Sequence, residues 1–420
     1  MEKKEIFKLL IMEFHHADLP EFKIRDLEIS DINKVISISG SRRSGKTYFF
    51  FQKIYDLLKI MEKDRIIYLN LSDDRLYPLK LYDLQSLLEA YFELYPKNKT
   101  NRIFLFLDEV QEVDKWEMFV RRIYDKENIR IFITGSSSKL LNKEINSSLR
   151  GRTLNYIMFP LSFKEFLKFK DIALENNFVY SQQRFILTKL FKEYLNDGGF
   201  PEIVNTPQKR EILENYLELI VYKDIVERYN IRNLNLIKTM IKYLLTNISS
   251  LFTVNSYYKY INQEFSVKKD TIGEYLSYLE DAYLVFTTSL FSYSLKQQQT
   301  NPKKIYCIDN GLRNTVSFKF SKDEGRLGEN LVFIELKRRN KDVYYWKKKN
   351  EVDFVIKEPT QKLTAINVCY SDEIDEREIK GLLEFKREFK KTKELIIITK
   401  DMEKKEQGIQ FMPLWKWLLN

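Results

Sequence analysis

Two cysteines, two histidines, nine prolines and twelve glycines in 420 residues leave several functions without material. Cys307 and Cys369 fit neither a disulfide framework nor a metal-ligand pattern, and His15 and His16 are the only histidines. A structural zinc site is therefore not expected, and a reducing cytoplasm suits the chain. No apolar run approaches membrane-spanning length, so no membrane partner is expected. The opening Met1-Glu2-Lys3-Lys4 leads into a charged amphipathic stretch rather than a signal peptide. Low-complexity sequence is missing too: hydrophobic residues make up 44% of the chain, including 30 Phe and 26 Tyr, ample for globular folding. The length exceeds what one compact core uses, so several domains are expected.

Against so few glycines, Gly40-Ser41-Arg42-Arg43-Ser44-Gly45-Lys46-Thr47 stands out. It is a complete G-x-x-x-x-G-K-[ST] phosphate loop. Gly40 and Gly45 allow the tight turn that points successive backbone N–H groups at phosphates. Lys46 adds a point charge, and the Thr47 hydroxyl can complete the shell of Mg²⁺. The context agrees, with a short β-rich strand at Val35–Ile38 before the loop and an apolar-periodic helix from Thr47 to Met61 after it. A nucleoside triphosphate is the expected ligand.

Arg102-Ile103-Phe104-Leu105-Phe106-Leu107-Asp108-Glu109 reads as a central strand buried on both faces and ending in two carboxylates. In open α/β sheets that end is where ligands bind. Asp108 is placed to support Mg²⁺, and Glu109 to orient and deprotonate water. A neighbouring strand, Ile129–Ile133, ends in Thr134-Gly135-Ser136-Ser137-Ser138. Thr134 can sense the γ-phosphate and position water, or the segment is an ordinary serine-capped turn. Arg150 and Arg152, around Gly151, are candidates for an arginine finger acting in cis or from a neighbouring subunit of a homo-oligomer, with Arg152 preferred.

The net charge of +10 decides little, because a chain rich in Lys, Ile, Asn, Tyr and Phe matches an AT-rich genome. Clustering is more informative. Lys337, Arg338, Arg339, Lys347, Lys348 and Lys349 flank Tyr344, Tyr345 and Trp346, a pattern able to track phosphates and stack bases of DNA or RNA. A solvated helix end and hairpin looks the same.

Five candidate strands near 35–39, 66–71, 103–107, 129–134 and 155–159 alternate with helices and predict a parallel α/β sheet. The expected divisions are a lead-in (1–33), a P-loop domain (34–165), a helical lid (166–234), a winged-helix-like region (235–324) and a small α/β domain (325–420). Lys209 to Tyr229 reads as one long amphipathic helix. Lys268 and Lys269 open the third helix of the winged-helix outline, the one able to enter a major groove. Winged helices also serve as protein-interaction modules, so DNA, RNA and a protein partner all remain open.

The phosphate loop, Phe-Leu-Asp-Glu-Val-Gln (106–111), Ile-Thr-Gly-Ser-Ser-Ser-Lys-Leu-Leu (133–141), Leu-Arg-Gly-Arg-Thr (149–153) and Gly-Gly-Phe-Pro-Glu (198–202) together closely resemble a large family of prokaryotic AAA-type ATPases with a C-terminal domain of unknown function. So do Leu-Glu-Asp-Ala-Tyr-Leu (279–284) and Ile-Tyr-Cys-Ile-Asp-Asn-Gly-Leu (305–312). The resemblance covers nearly the whole chain. It implies an AAA/ASCE-type core, ATP rather than GTP as the nucleotide, a winged-helix middle and a C-terminal domain similar to PD-(D/E)XK nucleases. On that likeness Glu329 matches the helical acid and Asp353 the strand-end acid. Where such nucleases carry Glu-x-Lys, this chain has Asn367-Val368-Cys369. Asparagine is a poor Mg²⁺ ligand and cysteine cannot replace an ammonium, so weak or absent cleavage is expected.

Overall fold

The computed structural model describes residues 2–136, 149, 151–176, 178, 181–317 and 324–420. The chain divides into two compact units, Met1–Met158 and Phe159–Asn420. No helix among the described residues is long and apolar enough to cross a membrane.

The first unit contains α1 (Lys3–His16), β1 (Val35–Ser39), α2 (Lys46–Leu58), β2 (Ile66–Asn70), α3 (Asp83–Leu94), β3 (Ile103–Asp108), α4 (Trp116–Lys126), β4 (Ile129–Gly135) and β5 (Thr153–Ile157). The five strands form one parallel sheet in the order β2-β3-β4-β1-β5. The expected P-loop α/β sheet is present. β3 is apolar up to Asp108 because both faces are covered, with Ile103, Leu105, Phe106 and Leu107 all buried. Phe106 stacks on Phe132 of β4 at 4.5 Å and meets Phe50 of α2 edge-on at 5.1 Å. With β4 lying between β1 and β3, the ends of these three strands come side by side at the carboxyl edge.

Where the sequence sets 1–33 apart as a lead-in, α1 is part of this unit's core. Ile6, Phe7, Leu10 and Ile11 share one helical face and are buried with Leu84, Leu87, Leu88 and Tyr91 of α3. At about 2 kcal/mol for each buried side chain, that face is what holds the helix down. His15 fixes its end: Nε2 lies 2.8 Å from the Ile66 carbonyl and Nδ1 2.7 Å from Tyr95 Oη. The carbonyl can only accept, so Nε2 carries the proton and Nδ1 accepts from the tyrosine. Burial lowers the His15 pKa, with the Ile66 carbonyl opposing. A histidine whose folded pKa lies below its unfolded value stabilises the fold above the unfolded pKa, and that contribution is lost as pH falls through it. Between about pH 7.5 and about pH 5.5, the wild type should therefore lose more thermal stability than His15→Gln. Equal losses in melting scans would contradict this.

The second unit opens with α5 (Phe163–Phe169), capped reciprocally by Ser162 and Glu165. It continues through α6 (Gln183–Asp197) and α7 (Lys209–Leu219). The helix expected over Lys209–Tyr229 changes to π-helical turns at Ile220–Glu227, beyond which Tyr229 stacks on Tyr278 at 3.8 Å. Next come α8 (Leu234–Thr246), β6 (Ser250–Phe252), α9 (Val254–Ile261), α10 (Lys269–Asp281), β7 (Val285–Thr288), α11 (Leu295–Thr300) and β8 (Lys303–Cys307). β6, β8 and β7 form a small antiparallel sheet in that order.

The remainder is α12 (Asn310–Val316), α13 (Glu324–Arg338), β9 (Val343–Lys347), β10 (Glu351–Lys357), β11 (Leu363–Cys369), α14 (Glu376–Glu388), β12 (Thr392–Thr399), β13 (Lys404–Glu406), β14 (Ile409–Pro413) and α15 (Leu414–Trp417). Its sheet runs β13-β14-β12-β11-β10-β9, parallel across β11, β12 and β14 and antiparallel elsewhere. The sequence pattern in this unit predicts strands at 283–290, 304–308, 342–346, 351–356, 363–370 and 394–399, and β6, β13 and β14 fall outside it. β6 and β13 are three residues each, too short to show an alternation.

Two of the shared motifs meet in this unit. Asp309 caps α12 by accepting from the backbone N–H of Gly311 at 2.8 Å, and its other oxygen accepts from Gly199 at 2.7 Å. Burial pushes its carboxyl up to about 6 despite these bonds. A Cβ on Gly311 would lie 2.0 Å from the Asp197 carbonyl. Asn330 continues the clasp: it accepts from Cys307 N at 2.8 Å and donates to Cys307 O at 2.9 Å and Asn310 Oδ1 at 3.0 Å. Asn310 passes the link on to the carbonyls of Leu195 and Leu327, at 2.9 and 3.1 Å.

Candidate functional site

The phosphate loop leaves β1 at Gly40, whose φ of 151° brings its α-carbon against the chain after β5. A Cβ there would stand 2.2 Å from the Met158 carbonyl oxygen. Gly45 caps α2 with φ 98°, a region that side-chain-bearing residues avoid. Lys46 is buried, and its ammonium donates to the carbonyls of Gly40 and Ser41, both at 3.0 Å. Ser41 and Ser44 are fully buried, and neither hydroxyl has a hydrogen-bond partner among the described residues. Such groups are costly unless something accepts from them; phosphate oxygens fit that need. Arg42 is half-buried beside them and Arg43, at φ 65°, is exposed. Gly40→Ala should displace the loop through its contact with backbone and abolish nucleotide binding while the unit stays folded. Unchanged affinity by calorimetry would show that the loop can yield.

Asp108, at the end of β3, is buried with 1% of its surface exposed. It accepts from Thr47 Oγ1 at 2.7 Å, from Tyr68 Oη at 3.3 Å and, on its other oxygen, from Thr134 Oγ1. Burial, then the neighbouring Glu109 charge, raises its pKa, while the two threonine hydroxyls pull it down. Thr134 also accepts from the backbone N–H of Glu109 at 3.0 Å. Glu109 has left-handed backbone angles, φ 56° and ψ 52°, and its side chain is held by Gln111 Nε2. Thr47, Asp108, Glu109 and Thr134 thus form one connected group at the carboxyl edge.

Arg152 is not part of it. Its carbonyl accepts from Val35 N at 2.9 Å and it precedes Thr153, which pairs with Val35 at the amino end of β1. The phosphate loop leaves the opposite end, a five-residue strand or about 16 Å away. Its guanidinium pairs with Asp125 at 2.7 Å. This corrects the reading of Arg152 as a finger in cis: parallel alignment of β5 with β1 puts it on the wrong edge. Arg150, Ser137 and Ser138 lie outside the described residues. Arg25, which the sequence did not single out as a site residue, is a brace on the loop. It is 6% exposed, donates to the Ser44 carbonyl at 2.6 Å, and its backbone is gripped by Gln52 at 2.9 and 3.2 Å.

In the second unit, Lys268 immediately precedes α10 and Lys269 begins it, both exposed. The basic segment is less open than its composition implies. Arg338 pairs with Glu335 and donates to the Pro160 carbonyl at 2.9 Å. Arg339 pairs with Glu335 at 2.8 Å and lies over the Trp417 ring at 4.6 Å. Lys337 is half-buried, and that burial lowers its pKa. Lys347 pairs with Glu351 at 2.9 Å and Lys348 with Glu388 at 2.8 Å, while Lys349 is exposed. Tyr345 and Trp346 are buried, Trp346 against Phe385. The expectation of stacking aromatics between free cations is therefore corrected for these two rings and for Arg338 and Arg339.

Glu329 of α13 and Asp353 of β10 do come together, on a residue that the sequence did not single out. Lys304 of β8, its side chain 3% exposed, lies 3.1 Å from Glu329, 2.9 Å from Asp353 and 2.7 Å from Glu351. Burial pushes Glu329 up to about 8. Burial alone would lower the Lys304 pKa, but Asp353, Glu329 and Glu351 outweigh it and hold the ammonium charged. Tyr306 donates to Glu329 at 2.8 Å, and Asn367 accepts from Asp353 N at 3.0 Å. The available signal was a lysine directly before the apolar run Ile305-Tyr306-Cys307, at a buried position of the same strand.

A family described as an AAA domain matches residues 32–167, and two described as domains of unknown function, DUF8612 and DUF4143, match 188–323 and 324–417. An uncharacterized protein of Methanocaldococcus jannaschii, MJ1544, is 40% identical over 442 residues, covering 100% of this chain and 96% of that one. An uncharacterized protein of Haemophilus influenzae is 30% identical over 399 residues, covering 94% and 96%. Among solved structures, the Walker-type ATPase PABY2304 of Pyrococcus abyssi aligns over 67% of this chain and 90% of its own, at 14% identity and a TM-score of 0.42. The Orc1 protein of Aeropyrum pernix, in complex with DNA, aligns over 75% and 91% at 11% identity and a TM-score of 0.29.

Proposed function

The chain belongs to the family of AAA-type ATPases that carry additional C-terminal domains of unknown function, and on that premise we propose that it binds and hydrolyses ATP with Mg²⁺ and couples turnover to nucleic acid held by its second unit. The observation that carries the first half is the loop itself: two buried serine hydroxyls without partners among the described residues, beside a buried lysine and next to a carboxylate already bonded to Thr47. Gly40 to Thr47 would receive the phosphates, and Thr47 with Asp108 would hold the metal. Mg²⁺, when bound, supplies charge neutralisation on the phosphate oxygens. Glu109 takes the proton of the attacking water, and Thr134 fixes the backbone that presents it.

For the second half, three helices with a three-stranded antiparallel sheet have the outline of a winged helix, and the exposed Lys268 and Lys269 stand at the start of its third helix. Lys349 adds an exposed cation. A second reading is favoured by one observation: Arg338 and Arg339 are taken up by Glu335 and Trp417. That suits a nucleotide-switched regulator whose C-terminal part docks a protein. The α13–β9–β10–β11–α14–β12 succession has the outline of a PD-(D/E)XK domain, and its chemistry here would be recognition without cleavage.

Steady-state ATP hydrolysis with and without duplex DNA, single strands and RNA separates the readings, with Lys46→Ala as the blank. Stimulation by one nucleic acid, falling steeply with salt, supports coupling. Slow turnover indifferent to all of them supports the switch. Hydrolysis equal to that of Lys46→Ala would sink the ATPase reading.

A further inference from the structure

Lys304 sits where a cation would be drawn in any case. Glu329 comes from α13, while Asp353 and Glu351 come from β10, so two elements aim three carboxylates at one point. Glu329 and Asp353 are held by their surroundings, and Glu351 also pairs with Lys347 at 2.9 Å. Tyr306 donates to Glu329 and stacks on Phe333 at 3.9 Å, and Asp353 accepts from Val368 N at 2.9 Å. Oxygens fixed in this way repel one another unless a positive charge lies between them. The positive charge present is the chain's own ammonium, delivered by β8 of the small antiparallel sheet. Its N–O separations of 2.7 to 3.1 Å are those of charge-assisted hydrogen bonds, longer than the about 2.1–2.6 Å at which carboxylates hold hard divalent ions. Among the described residues, no group of three or more His, Cys, Asp or Glu is arranged to hold a metal.

We propose that Lys304 is the resident cation of this carboxylate site, closing it to divalent metal and making the second unit a metal-independent module. The lysine then has two effects. It removes the centre at which metal-assisted hydrolysis would take place, and it ties β8 to α13 and β10 through one buried charge. The inference does not rest on the ATPase reading, because every group in it belongs to the second unit.

The test counts Mn²⁺ retained by the full, nucleotide-free chain in equilibrium dialysis, comparing variants that differ only at this site. Wild type and Asp353→Asn should retain the same amount, since no metal sits on Asp353 while Lys304 is there. Lys304→Met should unfold at a lower temperature, regain part of that loss when Mn²⁺ is added, and retain one more Mn²⁺ at least about tenfold more tightly than wild type. That gain should vanish in Lys304→Met/Asp353→Asn. A wild-type Mn²⁺ ion released by Asp353→Asn would overturn the proposal, and so would a folded Lys304→Met that gains no Mn²⁺. Should Lys304→Met not fold, the comparison of wild type with Asp353→Asn decides alone.

Discussion

Glu109→Gln should bind ATP within about twofold of wild type while its turnover falls about 10²–10⁴-fold. The amide keeps the shape and the contact with Gln111 but cannot take a proton. The backbone supports a role confined to chemistry: Glu109 is in left-handed conformation and its N–H is already spent on Thr134, so the substitution leaves the strand end as it is. Lys46→Ala is the contrasting variant. It removes the charge that now rests on the Gly40 and Ser41 carbonyls, and both affinity and turnover should go. Binding calorimetry with single-turnover hydrolysis distinguishes the two patterns. Normal turnover by Glu109→Gln would show that another group deprotonates the water.

The second large effect is on stability. Asn330→Ala should destabilise the second unit by about 3–5 kcal/mol, since each buried polar group left without a partner costs about 1–3 kcal/mol. The Asn330 side chain is wholly enclosed and serves the N–H and C=O of Cys307 and the Asn310 amide. Alanine leaves all three without that partner, and a small cavity besides. Asn330→Leu would fill the space but satisfy none of them, so it should be scarcely better; this outcome separates a polar relay from simple packing. Denaturant unfolding reads both, and a midpoint unchanged in Asn330→Ala would show that water replaces the amide without loss.

Much of the first unit could be read from residues alone because its constraints are local. A phosphate loop demands glycine, lysine and threonine at set spacing, and a strand covered on both faces demands a run like Ile103 to Leu107. What escaped reading depends on partners far along the chain. The apolar face of α1 has the same period whatever it packs on, and its partners are Leu84 to Tyr91. Arg338 and Arg339 look like surface cations until Glu335, one turn earlier, and Trp417 are found against them. Lys304 looks like any strand lysine, for its acids lie 25 and 49 residues away along the chain. Arg152 shows a limit of another kind: the motif around it is legible, but only the pairing of β5 with β1 tells which edge of the sheet it occupies.

The hydrogen bonds on Asp108 have a direction as well as a geometry. Thr47, Tyr68 and Thr134 each have one hydroxyl proton, and all three point inward to the same carboxylate. Thr134 is itself the recipient of the Glu109 N–H, so polarity runs one way from Glu109 through Thr134 to Asp108. The three arriving protons take three of the carboxylate's roughly four lone-pair positions, an arrangement that favours the charged form against the pull of burial. With its proton committed, Thr47 turns only lone pairs toward the loop, the one orientation in which a hydroxyl can face a cation. Asp108→Asn keeps the shape but puts two hydrogens where only acceptance was possible. At least one hydroxyl must then reverse, and the three donors no longer converge on one acceptor, without any atom heavier than hydrogen having moved.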